Sequence, residues 1–278
     1  MDMGSGRLGR DTARSNKQLS SKIYNHIHQE VHMRTTRRLF LGLIVAALAA
    51  TLAIPAPLQA KLIKKVDGFE LLVDLSESMG HELKTADGSI IQTGEPPKQG
   101  YFKLFDYKKG KTKFQVEYEL LQMINESVPS LDYQAALRTF GYRIAFYTGH
   151  YTTLNWGVAL FDRTAMGQAI APLENALALS PLGYGMAAAS EELAAMPRRK
   201  ALLIFSDFQW SEYFGDPVGE AEKLKTKYGP DLCVYTFYFD PDPEKVRIAR
   251  EIVKAAGCGK AYDTFKLRTD PDAFQDMI

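Results

Sequence analysis

Basic residues are scattered through this chain rather than clustered, and no run of the kind that grips a nucleic-acid backbone occurs after residue 60. A nucleic-acid partner is therefore not expected. No phosphate-cradling loop is present either, because "GYGMAAAS" (183–190) lacks a following Lys-Ser or Lys-Thr. No Ser-His-Asp arrangement stands out, and an enzyme is not expected. Cysteine is scarce, with Cys233 and Cys258 the only two. In an oxidising compartment they are expected to form a disulfide, which would stabilise by about 3 kcal/mol for a loop of this length. Two buried free thiols are the alternative.

Long apolar runs are also missing, apart from one. In "RRLFLGLIVAALAATLAIPAPLQA" (37–60) two arginines precede roughly sixteen apolar residues, then Pro55, Pro57 and small residues up to Ala60. This is the pattern of a secretory signal peptide over 33–60, with cleavage expected after Ala60. The rival is a single membrane anchor, for which about 20 residues are needed. No cysteine lies near the cleavage site, which excludes lipoprotein processing. "TTRRLFLG" also resembles a twin-arginine signal, so the export route stays open. Residues 1–32 precede a second start at Met33 and read as an over-called or disordered extension, in preference to a metal tract of His26, His28 and His32. Export to the periplasm or beyond is thus expected, with membrane contact only through an uncleaved signal. Removing the eight basic and three acidic residues of the first 60 leaves 26 against 30, a net charge near −4.

The remainder, 46% hydrophobic and 24% charged over the whole chain, is ordinary for a globular protein. Four apolar runs have strand length: 69–75, 142–149, 201–208 and 233–240, with weaker candidates at 156–162 and 261–267. Their continuous hydrophobicity implies burial on both faces, as in a parallel sheet covered by helices. Helical spacing joins Phe114, Tyr118, Leu121, Ile124 and Val128, then Leu182, Met186, Ala189, Leu193 and Met196, then Val246, Ala249, Val253 and Ala256. A shorter helix is expected over 217–229. The alternation predicts one α/β domain over 61–278, doubly wound, with a mostly parallel sheet and helices on both faces. A turn-rich insertion of 81–110 separates the first strand from its helix.

In such sheets ligands sit beyond the carboxyl ends of the strands. "GFELLVDLSESMG" (68–80) delivers Asp74, Ser76 and Ser78 there, "LLIFSDFQW" delivers Asp207, and "LALSPLGYGM" offers Ser180. Two carboxylates and three hydroxyls are hard oxygen donors, suited to Mg²⁺, Mn²⁺ or Ca²⁺ rather than zinc. The hydroxyls add no charge, so the ion keeps affinity for an outside anion. "DLSES" resembles the D-x-S-x-S motif of the von Willebrand factor type A domain, whose metal-ion-dependent adhesion site (MIDAS) binds a cation. The resemblance covers roughly 67–275 and is nearest to exported bacterial members. It implies that Asp74, Ser76 and Ser78 form the first metal loop, Ser180 the second and Asp207 the third. Ser180 replaces the family's Thr, and Phe208 replaces the Gly that follows the third-loop Asp.

The expected function is metal-dependent binding of a carboxylate on a protein partner in the cell envelope. Phe208 and Trp210 are expected at the partner-binding rim, and the insertion is expected to wall the site. The alternatives are a metal-independent structural or assembly module and a metal-assisted hydrolase.

Overall fold

The computed structural model describes residues 64–84, 111–141, 151–176 and 178–277. All belong to one compact unit, Ile63–Ile278. The signal segment, the extension before it, most of the insertion and the expected strand at 142–149 lie outside the described residues. Among the described residues, no helix is long and apolar enough to cross a membrane.

The first strand, β1 (Gly68–Asp74), is buried along its whole length, as its unbroken apolar pattern requires. It lies between β2 (Gln134–Phe140) and β4 (Lys200–Ser206), both parallel to it. β3 (Thr152–Leu160) pairs antiparallel with β2, while β5 (Leu232–Tyr238) and β6 (Gly259–Asp263) continue the parallel side. The order is β3-β2-β1-β4-β5-β6. Chain order runs outward from β1 one way and from β4 the other. The switch point therefore lies between β1 and β4, where a crevice is expected.

Helices cover both faces. On one face α1 (Lys113–Ser127) and α2 (Arg163–Ile170) pack with the C-terminal α6 (Thr264–Thr269) and α7 (Pro271–Met277) around Leu71, Val73, Leu121 and Phe205. On the other, α3 (Leu182–Ala195), α4 (Pro217–Tyr228) and α5 (Pro243–Ala256) pack around Leu72, Leu202, Ile204 and Val234. Aspartates cap α2, α4, α5 and α6, each accepting from a backbone N–H of the first turn. The doubly wound α/β architecture is the one the sequence predicts.

Several elements differ from expectation. β2 carries Arg138 in its centre and so lacks a continuous apolar run. Arg138 is neutralised in place by a two-pronged ion pair with Glu192 of α3, at 2.8 Å on each prong. The run at 261–267 divides, because Asp263 ends β6 and caps α6. The buried face of α1 also differs. Phe114, Tyr118 and Val128 are only partly buried, and Val116, Leu120, Leu121 and Ile124 form the inward stripe together with Lys113 and Glu117. Two charged residues thus point inward, toward the end of β1.

The disulfide joins Cys233 of β5 to Cys258 immediately before β6. It staples an edge strand whose pairing is unusually close. Gly259 sits at φ +124°, and a Cβ there would lie 1.7 Å from the Val234 carbonyl oxygen.

Candidate metal site

The site is assembled at the switch point by three loops. Asp74 ends β1 fully buried, and the chain turns at once: the Ser76 N–H donates to Asp74 Oδ1 at 2.9 Å. The turn is braced from both sides. Leu75 N–H donates to the Phe140 carbonyl at 2.8 Å, Glu77 N–H to the Ala178 carbonyl at 2.8 Å, and Asn175 Nδ2 to the Ser76 carbonyl at 2.6 Å. Gly141, at φ +91°, permits the close approach of β2, since a Cβ would meet Ser76 N at 2.4 Å. Glu77 and His81 face outward.

All five oxygen donors named from the sequence come together. Ser76 Oγ and Ser78 Oγ lie 3.2 Å apart, Ser78 Oγ donates to Asp207 Oδ1 at 3.1 Å, and Ser180 Oγ donates to Asp74 Oδ2 at 3.1 Å. Oxygens about 3 Å apart match the edge of an octahedron with metal–oxygen bonds of about 2.1 Å. Spacing and chemistry therefore fit a hard divalent cation. Among the described residues, no three His, Cys, Asp or Glu side chains gather as a metal cluster, because hydroxyls make up most of this donor set.

Ser206 was not among the sequence candidates. Its hydroxyl donates to Asp74 Oδ2 at 2.6 Å and accepts from the Phe208 N–H at 2.9 Å. Burial and then the neighbouring Asp207 push Asp74 up to about 6, against the pull of the Ser206 and Ser76 hydrogen bonds.

A second layer was also missed. Lys113, the first residue of α1, places Nζ 2.6 Å from Asp207 Oδ2 and 3.1 Å from Asp240 Oδ2. Lys245 of α5 lies 2.7 Å from Asp240 Oδ2 and 3.7 Å from Asp207 Oδ2. Burial opposes ionisation of Asp240, yet the Lys245 and Lys113 ammoniums outweigh it and hold the group down to about 2. Glu117, one turn along α1 from Lys113, is fully buried, and among the described residues neither carboxylate oxygen has a side-chain hydrogen-bond partner. Burial, then the charge of Asp74, raises its pKa well above the usual range, against the pull of the Asp74 backbone N–H. The only signal for these residues in the sequence was their position on α1, where charge reads as a solvated face.

The expected rim needs correction at Phe208. Its backbone occupies the left-handed region at φ 57°, the conformation a glycine would take. Its ring is 1% exposed and packs in the core with Leu72 and Ile204, which offsets the backbone cost and leaves it only at the inner lining of a hollow beside Trp210, not on an exposed rim. Trp210 is half-buried against the same cluster. With Gln209, Asp242 and Lys245 it borders a hollow of about 380 Å³. The exposed aromatics nearby are Tyr213, 83% accessible, and Tyr184, which stacks on Tyr151 at 4.9 Å beside Phe214.

No protein-family model matches the chain, and no curated protein does. Solved structures do. The PilB minor pilin of Streptococcus sanguinis (D319A mutant) matches at 10% identity over 78% of this chain and 62% of that one, TM-score 0.51. A von Willebrand factor type A protein from Catenulispora acidiphila matches at 18% identity over 74% and 41%, TM-score 0.46. Proximal thread matrix protein 1 of the mussel byssus matches at 14% identity over 73% and 45%, TM-score 0.49. That mussel protein also has a structure with a zinc-occupied MIDAS motif. The match spans less than half the length of the mussel and Catenulispora chains.

The doubly wound sheet and the three loops at its switch point agree with the resemblance to the von Willebrand factor type A domain read from the sequence. The three loops expected from that resemblance are those of Asp74, Ser180 and Asp207, and each brings a side-chain oxygen to the switch point. Beyond these oxygens, Ser206 donates to Asp74, and Lys113 and Lys245 face Asp207.

Proposed function

We propose that this is an exported type A domain that binds a divalent cation through Asp74, Ser76, Ser78, Ser180 and Asp207. It uses the cation to take a carboxylate from a protein partner in the cell envelope. The observation that carries the reading is the convergence of five hard oxygens from three loops at the β1/β4 switch point. Mg²⁺, Mn²⁺ and Ca²⁺ fit those donors best. When bound, the cation supplies a positive centre for an outside acid. The chain's own contribution is positional, since Ser206 and the Ser76 N–H hold Asp74, and Ser78 and the Gln209 N–H hold Asp207. The hollow beside Trp210 and the exposed Tyr213 offer the partner apolar surface next to the charge.

The disulfide supports an oxidising compartment, in keeping with the signal-like segment 37–60. Capture of a partner from envelope extract, with and without chelator, tests the reading alongside Asp74→Ala and Asp207→Ala. Loss of both Mg²⁺ binding and capture in the variants is expected, and unchanged binding in both would sink it.

One observation favours a second reading, a metal-independent assembly module: Lys113 already neutralises Asp207. Capture insensitive to chelator and to Asp74→Ala would select it.

A further inference from the structure

Lys113 is an unusual residue to bury at the start of a helix. Its side chain is 5% exposed, its charge opposes the positive end of the α1 dipole, and desolvation of an ammonium is costly. It is nonetheless held firmly. The Lys113 N–H donates to the His81 carbonyl at 3.0 Å, Leu83 N–H donates to the Lys111 carbonyl at 2.8 Å, and Glu82 bridges to Thr112. A capping box between Thr112 and Gln115 fixes the helix start. Because His81 directly follows the short helix Glu77–Gly80 of the first metal loop, the lysine backbone is tied to that loop.

The ammonium is therefore not a loose surface charge that drifted onto Asp207. The fold places it there, on the same carboxylate that the third loop offers to a cation. Asp207 divides its two oxygens: Oδ1 takes Ser78 and the Gln209 N–H, and Oδ2 takes Lys113. Asp240, already 3.1 Å from the same nitrogen, gives the ammonium a second seat. Two positive charges, Lys113 and Lys245, thus face the acids Asp207 and Asp240 from α1 and α5.

We propose that Lys113 is a tethered competitor for the cation, an affinity-setting residue whose ammonium shares Asp207 with the divalent ion and weakens its binding. The inference rests on reading the five oxygens as a cation site. In the metal-free protein Lys113 neutralises Asp207 and keeps the loops assembled. In the loaded protein its nitrogen moves off Asp207 toward Asp240. Divalent binding is then a displacement of one cation by another, and the domain stays folded in both states.

The test is Mn²⁺ titration of the full chain, followed by electron paramagnetic resonance of free Mn²⁺ and by calorimetry. The proteins compared are wild type, Lys113→Met and Lys113→Gln. Lys113→Gln keeps a donor for Asp207 in case the methionine variant folds poorly. Lys223→Gln removes the same charge from the exposed surface of α4 and controls for net charge. Tighter Mn²⁺ binding by about tenfold is expected in the Lys113 variants, with Lys223→Gln at the wild-type value. A gain below threefold, with wild type binding Mn²⁺, overturns the role of Lys113 and leaves the cation site standing. No Mn²⁺ uptake by wild type or by either Lys113 variant overturns both.

Discussion

The Ser206 hydroxyl donates to Asp74 Oδ2 at 2.6 Å, joining the last residue of β4 to the last residue of β1. Neither residue is accessible to solvent. This bond, and not the metal loop alone, holds the first-loop carboxylate in line with the third loop. Ser206→Ala removes the donor and leaves Asp74 relying on Ser180 and Ser76. A loss of about 1–2 kcal/mol is expected, read as a lower urea midpoint with unchanged slope.

The Lys113–Asp207 pair is buried on both sides, so breaking it from one side leaves an unbalanced charge. Asp207→Ala is expected to cost about 3 kcal/mol, moderated by Asp240. The double variant Asp207→Ala/Lys113→Met should recover a substantial part of that loss, because the stranded ammonium is gone. A double-mutant cycle in urea measures the coupling, and purely additive effects would show that the pair is energetically inert.

Glu70, on buried β1, gives the domain a pH-dependent stability distant from the metal loops. Burial, then the Glu192 charge, raises its pKa well above the usual value, with Arg138 only partly offsetting this. Its carboxyl oxygens have no hydrogen-bond partner among the described residues, with the Arg138 guanidinium 4.0 Å away. The folded state therefore holds a proton that the unfolded chain releases above roughly pH 4.5. Stability from this group is full below that pH and falls as pH rises toward the folded pKa, by up to about 1.4 kcal/mol per pH unit. Glu70→Gln should flatten the decline between pH 5 and 8 and raise stability at pH 8. Chemical denaturation across that range checks the sign.

Reduction of Cys233–Cys258, which spans 25 residues of sequence, should cost about 3 kcal/mol. Because it anchors edge strand β6, hydrogen exchange should accelerate first in Gly259–Asp263. Thiol labelling of the unreduced mature protein should find no free cysteine.

Much of this domain is legible in its residues. The unbroken run of β1 ending in Asp74, Ser76 and Ser78 announces a buried central strand and its loop, and Asp207 announces the partner loop. Those signals are local, because apolar continuity and motif spacing depend only on neighbours in the chain. β2 was hidden by Arg138, whose partner Glu192 lies on a helix 54 residues away. Lys113 and Glu117 were hidden for the same reason: a charge on a helix reads as solvated until the packing says what faces it. Phe208 looked like a rim residue beside the third loop, but the turn at φ 57° sends its ring into the core.

The sequence by itself determined the α/β class, the central strand and five oxygen-bearing residues that meet at the switch point, since each follows from short-range pattern and side-chain chemistry. Only the tertiary structure decided that Ser206 bonds Asp74 and that two lysines face Asp207. Those relations arise from distant segments meeting at one sheet edge, where burial makes each unpaired charge costly and each pairing consequential.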